Sequence, residues 1–459
     1  MNALIFAPVT KIAAAIRQRD VSAVELVEAH LKQIGVVNSA LNAVVVVTAE
    51  DALRQAKVAD DALAQGKPVG LLHGVPMTIK DSLDTAGVVS TWGTTGRAKF
   101  VPKADATAVN RLKAAGAILL GKTNTPELTL SYETDNLVYG RSHNPYNLDH
   151  SPGGSSGGAA AIIAAGGSPF DIGSDTGGSI RLPAHCCGIA GLKPTSGRVP
   201  RTGHAISHIG WLNALTQLGP MARFVEDLSF IFPIIAGPDW QDTAIVPMPL
   251  GDPDAVDLRG LRIAVHTDNG IRAAIQPIAD VVGAAAHSLE TAGAFVEEAR
   301  PSGIEETLSI LSQLMRGADG GVWVRRILAE AGTQADTSSL NRYLEMEPVD
   351  AARMVDLIAR WDRFKSKMLA FMANYDVILC PVNAYPALPH GTFAGENYPG
   401  FSYTMSYNLT GWPAAVVRCG TSPDGLPIGM QVVAQPWRED VALAVAKYLE
   451  GVFGGWKRP

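Results

Sequence analysis

Apolar residues recur at helical spacing early in the chain: Leu26, Val27, Leu31 and Ile34 share one face of a 3.6-residue period. Ser22 followed three residues later by Glu25 has capping-box spacing, so the pattern predicts a helix over 22–35, stopping at Gly35. A second helix is predicted over 48–64. The texture then changes. The stretch from His73 through Gly-Val-Pro-Met-Thr-Ile to Lys80 and Asp81 reads as a short buried strand with a polar end. Asp105 is placed to cap a helix running to Lys113, and 117–121 reads as the next strand. This strand–helix–strand alternation predicts an α/β fold with some parallel pairing.

The middle of the chain is rich in glycine. Residues 140–158 read as loop, 159–165 as a small-residue helix and 169–173 as a strand leading into Ser174-Asp175-Thr176-Gly177-Gly178-Ser179-Ile180-Arg181. Residues 255–370 look different, with a strand at 261–265 and long amphipathic helices at 277–292 and 351–372. Pro277 suits a first helical position, where its missing N–H costs nothing. Strands are predicted again at 375–381, 413–418 and 428–433, the last two joined by a turn at Pro423-Asp424-Gly425, before a final helix over 439–453. One unit over 1–459 is expected, with N-terminal helices in 1–68, the chemistry-bearing core in 69–250, a helical insertion or small lobe in 255–370, and a return to the core sheet in 371–459.

Composition narrows the function classes. Apolar residues make up 47% and charged residues 18%, an ordinary globular balance. Net charge is −6 and no run of Lys or Arg exceeds two residues, so no nucleic-acid footprint is read. No stretch reaches about 18 continuous apolar residues, so no membrane span is predicted. The apolar start lacks the basic region of a signal peptide, and a cytoplasmic location is expected. The four cysteines include the adjacent pair Cys186 and Cys187 and form no disulfide framework. Zinc-like ligand spacings are absent, so neither metal nor cofactor is expected.

Metal-free nucleophilic attack on a carbonyl needs a nucleophile, a base and hydrogen-bond donors for the oxyanion. Two glycines before Ser179 let the backbone turn sharply and aim N–H groups at one point; a plain turn into a helix fits that segment equally well. The run Gly153-Gly154-Ser155-Ser156-Gly157-Gly158 reads as a linker, as a phosphate loop lacking its lysine, or as a G-x-S-x-G elbow lacking its preceding strand. Lys80 at the end of an apolar segment is either a desolvated base or a solvated partner of Asp81.

Taken together, these segments resemble the amidase signature family in content and order. The matching stretches are Gly74-Val-Pro-x-x-x-Lys80-Asp81, Asn124-x-Pro126-Glu127, Asn144-Pro145, Gly153 to Gly158, Asp175 to Arg181, Gly191-Leu-Lys-Pro-Thr195 and Gly425-Leu-Pro-Ile-Gly-Met-Gln431. The resemblance implies a mixed, twisted central β-sheet with helices on both faces and a catalytic triad of Lys80, Ser155 and Ser179. Ser179 would be the nucleophile and Ser155 its bridge to Lys80, with a cis bond between Gly154 and Ser155. The oxyanion donors would be the N–H groups of Thr176, Gly177, Gly178 and Ser179. Asp175 and Arg181 would brace the loop, and Ser131 would touch substrate or its supports. Trp92, Leu130, Tyr132, Ile206 and Trp211 are candidates for an apolar pocket, shaped by 255–370 and by loops near 125–135 and 203–212.

The implied partner is a small-molecule amide or carbamate, and a homodimer is expected. A second branch of the family, the glutamine-hydrolysing subunit of a tRNA-dependent amidotransferase, carries a Ser-x-Gly-Tyr-Tyr-Asp-Ala-Tyr-Tyr stretch. This chain has only Leu340-Asn-Arg-Tyr-Leu344 there.

Overall fold

The computed structural model describes residues 4–207, 210–335 and 340–459. Two residues of the loop predicted near 203–212, and residues 336–339 within 255–370, therefore lie outside the described residues. Eleven strands are present among those described: β1 Val44–Val47, β2 Pro76–Lys80, β3 Ile118–Thr123, β4 Phe170–Asp175, β5 Ala190–Lys193, β6 Gln217–Ala222, β7 Arg262–Val265, β8 Phe295–Glu298, β9 Val377–Pro381, β10 Ala414–Thr421 and β11 Pro427–Ala434. They form a large mixed sheet of eight strands, in the order β4-β6-β5-β10-β11-β9-β7-β8, and a small sheet in the order β1-β3-β2. Pairing is parallel where a helix carries the chain back: β2 with β3 across Thr107–Ala114, and β7 with β8 across Gln276–Thr291. The long β10–β11 pair is an antiparallel hairpin.

Both faces of the large sheet are apolar because successive side chains point to opposite sides. Ile378, Cys380, Ala414 and Val416 pack on the side of Gly157–Ala164, Arg181–Cys187 and Ser402–Leu409. Val377, Leu379, Ala415 and Val417 pack on the other, with Val225–Ile235, Gln276–Thr291 and Glu439–Phe453. A strand buried on both faces reads as a continuous apolar run, which is why 375–381 was legible. The segment 255–370 is tied into this sheet, since β7 and β8 form its edge beyond β9. No helix of the described residues is long and apolar enough to cross a membrane.

Local signals held unevenly. Ser22 and Glu25 form the expected reciprocal cap, but the helix runs Ala23–Leu41, through Gly35, and stops at Asn42 in the left-handed conformation. Asp105 caps nothing: Ala106 precedes the helix, and the Asp105 carboxylate instead accepts from Ala86 N–H and Lys113 Nζ, both at 2.8 Å. The predicted strand at 169–173 extends to Asp175, which delivers the glycine turn directly from a strand end.

Candidate active site

Lys80 closes β2 and is fully buried. The end of its strand is pinned to β4 by Asp171, which accepts from Lys80 N–H at 2.9 Å, Thr78 Oγ1 at 2.7 Å and Thr123 Oγ1 at 3.0 Å. The small sheet is thereby fastened to the large one at the point where chemistry gathers. Lys80 Nζ reaches three hydroxyls: Ser155 Oγ at 2.6 Å, Ser174 Oγ at 2.9 Å and Ser156 Oγ at 3.0 Å. It makes no ion pair among the described residues. Burial pushes the Lys80 ammonium down to about 7, with Asp171 and Asp175 opposing the shift only from a distance.

Ser155 follows a cis peptide bond at Gly154 and is also fully buried. A Cβ at Gly154 would stand 2.7 Å from the Tyr132 backbone, so only glycine admits this close approach. Ser155 and Ser179 are neighbours through their backbones, the Ser156 N–H donating to the Ser179 carbonyl at 3.2 Å. A side-chain hydrogen bond between Ser155 and Ser179 is not formed among the described residues.

Ser179 alone of the three opens outward. It lines a cleft with Leu130, Ser131, Tyr132, Thr176 and Gly177, which Met315, Arg342, Tyr343 and Tyr398 from later in the chain also line. The cleft leaves about 40 Å3 open to the centre of a water-sized sphere. Since one such water needs roughly 10–15 Å3, a slender group fits better than a bulky one.

The turn bearing Ser179 is held crosswise. Asp175 accepts from Gly178 N–H at 2.8 Å and Ile180 N–H at 3.1 Å, and pairs with Arg181 through two contacts of 2.8 and 3.0 Å. Burial by itself would raise the Asp175 carboxyl, but the Arg181 guanidinium holds it well below the usual carboxylate range. Arg181 continues to Asn408 Oδ1, Gln431 Oε1 and the Thr404 carbonyl. The opposite edge of the same peptide unit, the Gly177 carbonyl, accepts from Thr404 Oγ1 at 2.7 Å and Tyr132 Oη at 3.0 Å. The Gly178 N–H is committed to Asp175 and does not face the cleft as a free donor, whereas those of Thr176, Gly177 and Ser179 take no partner among the described residues.

The pocket candidates divide. Leu130, Ser131 and Tyr132 line the cleft with Ser179. Trp92 and Trp211 instead line a separate, larger cavity of about 650 Å3 with Trp323, and Ile206 is fully buried in the core. Sequence reading missed Ser156 and Ser174 as partners of Lys80, although both stand in the segments it singled out. It also missed Arg342, Tyr343 and Tyr398, which follow no motif and reach the cleft only through tertiary packing.

The sequence pattern of the Amidase family matches residues 25–443. The chain is 36% identical to a glutamyl-tRNA(Gln) amidotransferase subunit of Roseiflexus sp. (strain RS-1), over 94% of this chain and 93% of that protein. It is 34% identical to an acylamidase of Rhodococcus erythropolis, over 96% and 94% of the two chains. Its fold is similar to that of a bacterial aryl acylamidase of the amidase signature enzymes, with a TM-score of 0.87, 26% identity, and 97% and 96% of the two chains covered.

Proposed function

The chain belongs to the amidase family, whose members hydrolyse amide C–N bonds, and from that premise we propose that it cleaves small carboxylic amides through an acyl-enzyme on Ser179. The observation that carries this reading is the division of labour between the serines: Ser179 lines the cleft, while Ser155 is buried behind it against Lys80. Neutral Lys80 takes the Ser155 proton as Ser155 takes that of Ser179. The Ser179 Oγ bonds to the amide carbon, and the carbonyl electron pair moves onto oxygen, facing the N–H groups of Thr176, Gly177 and Ser179. As the C–N bond breaks, the proton returns through Ser155 to the leaving nitrogen, which departs as ammonia or an amine. Water then repeats the attack on the acyl-enzyme and releases the acid.

Aryl and short aliphatic amides are the proposed substrates, and the same machinery extends to carbamates and esters. The test is turnover of a panel of nitroanilides, simple amides and carbamates by the wild type, Ser179→Ala, Ser155→Ala and Lys80→Ala. All three variants are expected to lose activity while staying folded, and a serine-directed covalent probe is expected to label Ser179. Labelling of Ser155 in place of Ser179 would restore the elbow reading. The similarity to amidotransferase subunits favours one second reading, glutamine hydrolysis within a complex. Ammonia release from glutamine that appears only with amidotransferase partner subunits would establish it.

A further inference from the structure

The cleft beside Ser179 contains one charged side chain among its described lining residues, Arg342. Arg342 is half-buried, and a guanidinium taken partly out of water gains from a carboxylate partner. Arg342 has none among the described residues. One of its nitrogens, Nη2, donates to the Leu130 carbonyl at 2.6 Å, and its Cζ lies 5.2 Å from the Tyr343 ring centroid. Its Nε is buried with no hydrogen-bond partner among the described residues. The groups around it are the side chains of Tyr132, Tyr343 and Tyr398, and Tyr343 also shares a side-chain hydrogen bond with it. A fork of donors is thus held in an aromatic setting, tied down by the Leu130 carbonyl and Tyr343 and left short of a carboxylate.

We propose that Arg342 anchors a carboxylate on the substrate, so that this enzyme prefers slender amides carrying an anionic group away from the scissile bond. This rests on the reading of Ser179 as the amide-cleaving nucleophile. Planar, bidentate capture of a carboxylate is what a guanidinium does better than an ammonium, and the described lining of the cleft offers no competing acid. The narrowness of the cleft sets the shape of the substrate, an unbranched chain with its amide at Ser179 and its carboxylate at Arg342. The alternative is that Arg342 only ties down the Leu130 backbone.

The experiment compares kcat/KM for succinamate, glutaramate and adipamate with that for neutral alkanamides of equal length, in wild type, Arg342→Met and Arg342→Lys. The wild type is expected to favour at least one anionic amide by roughly ten- to hundredfold, as a charge-assisted pair allows. That ratio should collapse toward one in Arg342→Met and be partly kept in Arg342→Lys. A wild-type ratio of one or below throughout, or a ratio unchanged in Arg342→Met, overturns the proposal. Calorimetric binding of glutarate to Ser179→Ala, with and without Arg342→Met, runs beside it. If neither amide series is turned over, the amide reading fails for these substrates. The glutarate binding then decides the anchor: lost with Arg342→Met it stands, and absent or unchanged it falls.

Discussion

Lys80 Nζ stands 2.6 Å from Ser155 Oγ with both residues fully buried, and no carboxylate among the described residues pairs with that amine. The geometry gives a lysine that can be neutral near pH 7 and a hydroxyl positioned to hand it a proton. The consequence is a pH dependence with a definite sign. Below about 7 Lys80 holds its proton and cannot act as a base, so kcat/KM should fall toward acid and level off above that point. Lys80→Ala should lower kcat by roughly 10²–10⁴-fold and abolish the inflection. A pH–rate profile whose acid limb survives in Lys80→Ala would remove Lys80 as its cause. The same depressed value makes the unfolded chain bind more protons between about 7 and 10.5, so Lys80 contributes a stability that rises with pH across that window.

The buried pair of Asp175 and Arg181 has a structural role that substitution exposes. Asp175→Asn keeps the shape but removes the charge that compensates Arg181, leaving a guanidinium uncompensated at zero exposure. The expected loss is about 3–5 kcal/mol in urea unfolding, the cost of breaking a buried pair from one side. A loss below about 1 kcal/mol would mean that Asn408 and Gln431 hold Arg181 without Asp175.

Tyr132 reaches the turn that bears Ser179 through its hydroxyl. Its ring is stacked on Phe401 with centroids 4.4 Å apart, so Tyr132→Phe keeps the packing and deletes only the hydrogen bond to the Gly177 carbonyl. A net hydrogen bond is worth about 1 kcal/mol, so kcat should fall roughly fivefold while the melting temperature stays nearly constant. Equal falls in stability and activity would assign Tyr132 to the core rather than to the turn.

Gly178 has φ +129 and faces Thr404, where an added Cβ would lie 2.3 Å from Oγ1. Gly178→Ala should therefore shift the turn, costing about 1–3 kcal/mol of stability and much of the activity. Thr404→Ala removes the Oγ1 that the new Cβ would meet, with loss of its hydrogen bond to the Gly177 carbonyl, and combined with Gly178→Ala should recover part of the stability; no recovery would place the strain in the backbone instead.

The chemistry-bearing segments were legible because they obey local rules. A strand buried on both faces needs an unbroken apolar run, a reciprocal cap needs Ser22 and Glu25 three residues apart, and a turn with no room for a Cβ needs glycine, as at Gly154 and Gly178. The long helices Ala351–Met372 and Glu439–Phe453 could be read to their ends from periodicity and flanking polar residues. The strands β1, β5, β6 and β8 were not read, because they owe their conformation to partners distant in sequence.

What the sequence determined by itself was the set of reactive residue types, their order, and a mixed α/β frame able to present them. What only the tertiary structure decided was which of them meet. Asp171 fastens the strand of Lys80 to β4, and serine hydroxyls from the glycine-rich loop and from β4 converge on one amine. Arg342 comes to the cleft from 163 positions beyond Ser179. Pocket walls are long-range contacts between side chains under no local constraint, so nothing in their own neighbourhood along the chain announces them.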